Sequence, residues 1–173
     1  MAGEKNNRVL LNNTLMFIVK LLNANNISNW FIGYGTLLGI VRENSCIEGD
    51  DDVDIIIDKN HYDVVKQLLV EKNIEIDFGH GRKLLKTKKN KDYCSVDFYM
   101  ASIDEKGNFN DNWENVIWSE CYKENTKMIE YVWNENALYL PFNYEQKLIN
   151  RYGENWRIPH NGYKGPTPRK EIL

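Results

Sequence analysis

A glycine-rich segment followed closely by a cluster of aspartates is the feature that most restricts how this chain can fold. Residues 33–42 read GYGTLLGIVR, and residues 49–58 read GDDDVDIIID, with five aspartates in an otherwise apolar run. Carboxylates that lie close together repel each other, and removing an ionised carboxylate from water is costly. The aspartates must therefore face solvent or share a compensating cation.

The aspartate segment has the pattern of a strand over residues 52–58. Side chains alternate between the two faces of a strand, so the apolar residues would point to one side and most of the carboxylates to the other. Residues 95–100 repeat this pattern, with Asp97 between apolar residues that face the other way. If the two strands are neighbours, Asp97 can meet Asp52 and Asp54.

Three converging carboxylates need a cation between them, because otherwise they raise each other's pKa and repel. Mg²⁺ prefers oxygen ligands, commonly a few carboxylates together with the phosphates of a substrate. Two such ions can hold the attacking and leaving oxygens of a phosphoryl transfer. We therefore predict that Asp52, Asp54 and Asp97 are catalytic residues and the ligands of Mg²⁺ or Mn²⁺.

Two other interpretations of the aspartates compete with a catalytic metal site. An exposed acidic turn would explain Asp50 and Asp51, but not why Asp52 and Asp54 lie within an apolar strand. A structural Ca²⁺ loop of the EF-hand type is disfavoured, because the segment has no Gly at the sixth loop position and no Glu at the twelfth.

The glycine turn has the composition of a phosphate-binding loop. Glycines let backbone amides approach a phosphate closely, and the N-terminus of a following helix favours an anion. We expect Gly33, Gly35 and Thr36 to contact the phosphates of a substrate. Thr36 is also predicted to be the N-cap of a helix that ends near Arg42.

Three basic residues are candidates for a further contact with phosphate. Arg42 could bind a phosphate or pair with a local carboxylate, and we favour the phosphate. Lys83 and Lys86 precede the Asp97 strand and could neutralise phosphate charge. A solvated basic face is an equally good interpretation of both lysines.

The remaining segments predict one domain over residues 1–173, with a flexible tail from about residue 162. Helices and strands intermix, which favours an α/β (α+β) fold with a mixed sheet flanked by helices. Residues from about 7 to 24 have helical periodicity. Asn60 is predicted to cap a later helix, and Asn143 the last one. Residues 101–137 give no clear prediction, and whether they form an acceptor site stays open.

Charge and cysteine content indicate the compartment and exclude some partners. The net charge of -3 gives no basic field that would favour nucleic acid. The three cysteines are odd in number and far apart, which is not the pattern of a disulfide framework. The first dozen residues lack the apolar stretch of a signal peptide, and no apolar run is long enough to span a bilayer. We expect a cytoplasmic protein.

The glycine segment and the aspartates together resemble the signature of the LicD/fukutin family, within the nucleotidyltransferase fold superfamily. Asp97 is similar to the third acidic position of that superfamily, and two later segments resemble the end of the family's domain. The residues that carry the resemblance are 35–39 (GTLLG), Arg42, 50–55 (DDDVDI), 96–98 (VDF), 140–142 (LPF) and 152–156 (YGENW) with Pro159.

The resemblance implies transfer of a phosphoryl-linked group from a CDP-activated donor to the hydroxyl of a sugar or glycan. In the best-known members of the family that group is phosphocholine or ribitol phosphate. Two alternatives stay open. One is a small nucleotidyltransferase that moves NMP from an NTP to a small-molecule hydroxyl and releases pyrophosphate. The other is a non-catalytic relative that serves as a binding subunit.

Overall fold

The structure, a computed structural model, describes residues 7–159 and 170–173. The helices of this part of the chain are α1 (Arg8–Ala24), α2 (Tyr34–Glu43), α3 (Tyr62–Glu71) and α4 (Tyr144–Tyr152), and a 3-10 turn (Lys59–His61) precedes α3. The strands are β1 (Trp30–Ile32), β2 (Asp52–Asp58), β3 (Ile76–His80), β4 (Leu84–Thr87), β5 (Ser95–Ile103), β6 (Phe109–Asp111), β7 (Val116–Trp118), β8 (Ile129–Trp133), β9 (Asn136–Leu140) and β10 (Glu171–Ile172).

A mixed sheet of eight strands forms the centre of the fold. The order β1-β2-β5-β6-β7-β10 gives its main path, and β4 joins β5 to β3 at one side. β2 and β5 are parallel neighbours, whereas β1, β4 and β6 pair antiparallel with the strands beside them. β8 and β9 form a separate hairpin. The predicted fold class, a mixed sheet flanked by helices, is confirmed.

The core lies where the apolar faces of the helices meet the sheet. Leu11, Leu15, Ile18 and Leu22 recur at helical spacing in α1, and all four are almost completely buried. In β2 the five central residues are buried, because neighbouring strands and helices cover both faces of the sheet at this point. The predicted helix near 7–24 and the predicted strand over 52–58 are both confirmed.

The structure corrects the predicted starts of two helices. α2 begins at Tyr34 after Gly33, so the prediction of Thr36 as N-cap was wrong and Thr36 lies in the first helical turn. After β2, the Asp58 side chain accepts a hydrogen bond from the Asn60 backbone N–H, at 2.9 Å. Asp58 therefore caps the 3-10 turn, and α3 itself begins after His61, so the prediction of Asn60 as the cap of this helix was wrong.

Residues 101–137 contain the end of β5, then β6, β7 and β8. Many of the connecting turns contain a residue in the left-handed backbone conformation. Asparagine suits this conformation because its short polar side chain can form hydrogen bonds with the nearby backbone. The predicted tail begins in residues outside the described part of the chain, and β10 near its end pairs in parallel with β7. The asparagines with positive φ are Asn26, Asn29, Asn44, Asn73, Asn115, Asn125, Asn134 and Asn143.

No helix among the described residues has the length and apolar character needed to cross a membrane.

Candidate metal and phosphate site

Three carboxylates converge on the sheet where β2 and β5 lie side by side. Asp54 is directly opposite Asp97 in the parallel register. Asp52, Asp54 and Asp97 each offer an oxygen, and these oxygens lie within 4.8 Å of one another. Asp54 and Asp97 are each only 6% exposed. The alternation of the two strands therefore brings together the three residues singled out from the sequence.

The electrostatics of this cluster are those of a site with an excess of negative charge. Burial, followed by the charges of Asp97 and Asp50, raises the pKa of Asp52 to about 7. Burial, followed by the charge of Asp52, also raises the pKa of Asp54 well above its ordinary value. In both groups burial and mutual repulsion favour the protonated form, and a divalent cation is the natural counter-charge that would favour the ionised form instead.

Lys86 is the basic side chain that the structure brings to the carboxylates. Its ammonium group lies 2.9 Å from an Asp97 oxygen and 3.7 Å from an Asp52 oxygen. Burial opposes the charged form of Lys86, but the hydrogen bond to Asp97 and the nearby carboxylates outweigh it, so its pKa is raised. One ammonium group offsets only part of the charge of three carboxylates.

Tyr99 belongs to the site and was missed by the sequence analysis. Its hydroxyl lies 3.2 Å from Asp54 Oδ1 and 3.4 Å from Asp97 Oδ2, so it bridges the two strands. Burial, followed by the charges of these carboxylates, raises the pKa of Tyr99 well above its ordinary value. The signal was available, because Tyr99 is two residues after Asp97 and faces the same side of β5.

Asp50 is a fourth carboxylate at the edge of the cluster. The interpretation of Asp50 as an exposed turn residue was wrong: it is 7% exposed, and burial raises its pKa to about 6. Asp51, by contrast, is exposed. A Cβ at Gly35 would lie 2.6 Å from Asp50 Oδ2 and 3.8 Å from Asp54 Oδ2. Gly35 therefore borders the acidic cluster at a point where a side chain would collide with Asp50.

Gly33 and Thr36 hold the strand that carries Asp54. The Asp54 backbone N–H donates to Thr36 Oγ1 at 2.9 Å, and the Gly33 N–H donates to the Asp54 carbonyl at 3.1 Å. A Cβ at Gly33 would lie 2.7 Å from a side-chain carbon of Ile56, so close packing accounts for this glycine. A contact between these residues and phosphate stays a prediction.

Arg42 and Lys83 do not join the carboxylates. The Arg42 guanidinium pairs with Glu43 at 3.2 Å and its side chain is 9% exposed, which is the local pairing that the sequence left open. Lys83 lies in the turn just before β4, on the side of the sheet that Met100 of β5 faces, opposite to Asp97. There it lines a cavity of about 430 Å³ with Met100 and other residues.

A second buried cluster, centred on Tyr34, supports the site from the side of β6. The Tyr34 hydroxyl donates to Asp111 Oδ2, and the Tyr34 ring packs edge-on against Tyr99 at 4.9 Å between ring centroids. The Arg151 guanidinium lies 4.5 Å from the Tyr34 ring centroid. Tyr34 also has a φ of 45°, a strained value for a bulky residue. No sequence signal marks this cluster, because its members are far apart in the chain.

The chain resembles a known protein family and solved protein structures. A family model described as the LicD/FKTN/FKRP nucleotidyltransferase domain matches residues 27–169. The fold is similar to that of a lincosamide antibiotic adenylyltransferase, LnuA, solved with lincomycin bound: the TM-score is 0.51 and the identity 16%, over 78% of this chain and 82% of that one. A putative nucleotidyltransferase from Thermotoga maritima matches with a TM-score of 0.46 and 16% identity, over 88% of this chain and 89% of that one. No curated protein sequence matches the chain significantly.

The likeness to the adenylyltransferase shows a nucleotidyltransferase-type fold. The family match and this fold together support a transferase.

Proposed function

Since the chain belongs to the LicD/FKTN/FKRP family, we propose that it is a metal-dependent transferase that uses a CDP-activated donor. It would move a phosphoryl-linked group, such as phosphocholine or ribitol phosphate, to the hydroxyl of a sugar or glycan. One observation carries the proposal: carboxylate oxygens of Asp52, Asp54 and Asp97 lie within 4.8 Å of one another.

The donor set fits Mg²⁺ or Mn²⁺. All three residues offer carboxylate oxygens, the ligand type that hard divalent ions prefer. The raised pKa values of Asp52 and Asp54 reflect burial and repulsion that a divalent ion would relieve. When bound, such an ion would neutralise charge on the donor phosphates and polarise the phosphorus that is attacked.

The residues of the chain would position the donor and move one proton. The acceptor oxygen forms a bond to the outer phosphorus of the donor, the bond from that phosphorus to the bridging oxygen breaks, and CMP leaves with that oxygen. We assign the proton of the acceptor hydroxyl to Asp97. Lys86, at 2.9 Å from Asp97, would offset the negative charge that the phosphates add. Gly35 would let the donor approach closely, because it borders Asp50 and Asp54.

The cysteines favour a reducing compartment. Cys46, Cys94 and Cys121 are all buried free thiols. Free thiols persist where glutathione and thioredoxin keep them reduced. We therefore propose that the reaction takes place in the cytoplasm.

A ligand screen with product analysis tests the proposal. The thermal unfolding midpoint is measured with CDP-choline, CDP-ribitol, CDP-glycerol, CTP, ATP and UTP, each with and without Mg²⁺, and any ligand that stabilises the protein is incubated with candidate glycans. We expect the CDP-linked compounds to raise the midpoint only with Mg²⁺, and CMP to be released. Pyrophosphate released from an NTP would support the small nucleotidyltransferase instead. No metal-dependent stabilisation by any nucleotide would support a non-catalytic relative.

The matched variants are Asp52→Asn combined with Asp54→Asn, and Asp51→Asn. The double variant should lose turnover and keep its fold, because neutral amides at these positions relieve repulsion. Asp51→Asn changes an exposed carboxylate in the same segment, so this variant should keep both turnover and the fold. Full turnover in the double variant would contradict the assignment.

A further inference from the structure

A row of side chains leads from the carboxylates to the edge of the sheet. In an antiparallel pair, residues directly opposite each other lie on the same face. Asp97 of β5 is opposite Lys86 of β4, and Lys86 is opposite Phe78 of β3. Phe78 therefore shares the face of the sheet on which Asp54 and Asp97 converge.

The adjacent row ends in two further rings. Tyr99 is opposite Leu84, and Leu84 is opposite His80. The Trp113 ring stacks on His80, with centroids 4.9 Å apart and planes 27° from parallel, and Phe78 meets His80 edge-on at 3.8 Å. We call Phe78, His80 and Trp113 the aromatic surface.

The aromatic surface is open to solvent at Trp113. Trp113 is 39% exposed, and His80 is exposed as well. The other four tryptophans of the chain are at most 4% exposed and belong to the core. An exposed indole that rests on another exposed ring contributes little to the core, and such rings are common where a protein binds a planar ligand.

Hydrogen bonds and ring contacts fix Trp113 relative to the carboxylates. The Trp113 backbone N–H donates to Asp111 Oδ1 at 2.9 Å, and Asp111 also accepts the Tyr34 hydroxyl. Tyr34 packs against Tyr99, whose hydroxyl lies 3.2 Å from Asp54. The aromatic surface and the acidic cluster are thus joined by a continuous path of buried groups.

We propose that the aromatic surface stacks the nucleobase of the donor while the phosphates lie at the carboxylate cluster, where a divalent ion would bind them; this inference rests on the proposed function. Neighbouring strands lie about 4.8 Å apart, so two strand spacings separate Phe78 from Asp97 by about 10 Å. An extended nucleoside diphosphate spans a similar distance between its outer phosphate and its base. Lys86 lies between the two sites, where the ribose and the inner phosphate would pass.

The test compares CDP with pyrophosphate, which has the phosphates but no base. Binding of each is measured with Mg²⁺ by calorimetry and by quenching of tryptophan emission, to which Trp113 is the solvent-exposed contributor. The variants are Trp113→Ala and Trp113→Phe, and Val132→Ala serves as a control at an apolar residue that is 71% exposed. Replacing the Trp113 side chain leaves its backbone hydrogen bond to Asp111 available.

We expect Trp113→Ala to weaken CDP binding roughly 5- to 140-fold, the change that corresponds to base stacking of about 1–3 kcal/mol. Pyrophosphate binding should be unchanged, and Trp113→Phe should restore most of the affinity for CDP. Equal CDP binding by wild type and Trp113→Ala would refute the aromatic surface and leave the proposed function intact. An equal loss of affinity for CDP and for pyrophosphate would also refute stacking on the aromatic surface, because Trp113 would then act on the shape of the phosphate site. Wild-type protein that binds neither ligand with Mg²⁺ would overturn both proposals.

Discussion

Without a metal ion, the carboxylate cluster should make the protein less stable as the pH rises. The folded-state pKa of Asp52 is raised from 3.8 to about 7, mainly by burial and then by the charge of Asp97. When folding raises the pKa of a carboxyl group, its neutral form stabilises the folded protein. This stabilisation is complete below the pKa of the unfolded state and is lost as the pH rises through the pKa of the folded state. The free energy of unfolding should therefore fall between about pH 5 and about pH 8.

The size of the effect follows from the pKa of Asp52. One pKa unit corresponds to about 1.36 kcal/mol, so the difference between 3.8 and about 7 is worth about 4 kcal/mol in full. About 1.7 kcal/mol of this is already lost at about pH 5, which lies above the unfolded pKa. Metal-free wild-type protein should thus lose about 2–3 kcal/mol between about pH 5 and about pH 8 through this group.

Urea unfolding followed by circular dichroism, in buffer with a chelator, measures this loss at each pH. Asp52→Asn should reduce the slope by the share of this group, because the raised pKa values of Asp54 and Asp50 also contribute to it, and it should be more stable than wild type at the alkaline end. Asp51→Asn, a change of the exposed neighbouring carboxylate, should keep the wild-type slope. The reasoning is refuted if wild-type stability rises over this range, or if Asp52→Asn has the same slope as wild type.

Three further substitutions test how the acidic site is held. Thr36→Val removes the oxygen that accepts the buried Asp54 N–H, so the free energy of unfolding should fall by about 1–3 kcal/mol in urea titrations; no change would show that the bond is dispensable. Gly35→Ala places a Cβ 2.6 Å from Asp50 Oδ2, so calorimetry should show that the variant binds Mg²⁺ and CDP more weakly than wild type. Affinity equal to that of wild type would mean that Asp50 moves to make room for the Cβ. Tyr99→Phe removes a hydroxyl that lies 3.2 Å from Asp54 Oδ1 and favours the ionised form of that carboxylate. The pKa of Asp54 should therefore rise further, and the affinity for Mn²⁺ near neutral pH should fall. Equal Mn²⁺ affinity of the variant and wild type at all pH values would contradict this.

The acidic site could be predicted because its signal is local and periodic. In each of two short segments the apolar residues of one strand face alternate with residues that include the aspartates, and this alternation fixes which side chains share a face once the strands are neighbours. The structure makes β2 and β5 neighbours and puts Asp54 opposite Asp97. The strand over 52–58 and the helix near 7–24 were predictable for the same reason, since a regular period directly reflects burial.

What could not be predicted depends on contacts between distant segments. Asp50 lies in a run that reads as an exposed turn, and it is buried against α2 at Gly35, where a side chain would collide with it. The bond between Tyr34 and Asp111 joins residues 77 positions apart, in a region without clear periodicity. The sequence favoured a phosphate over a local carboxylate as the partner of Arg42, and only the structure shows the pairing with Glu43.

Mn²⁺ binding measured by electron paramagnetic resonance tests the central claim most directly. Free Mn²⁺ is titrated with protein, with and without CDP, for wild type, Asp54→Asn and the control Asp51→Asn. We predict that wild type and Asp51→Asn take up Mn²⁺, more tightly when CDP is present, and that Asp54→Asn loses this uptake. Equal uptake by Asp54→Asn, or no effect of CDP on uptake by wild type, would contradict a site in which Asp52, Asp54 and Asp97 hold an ion that binds the donor phosphates.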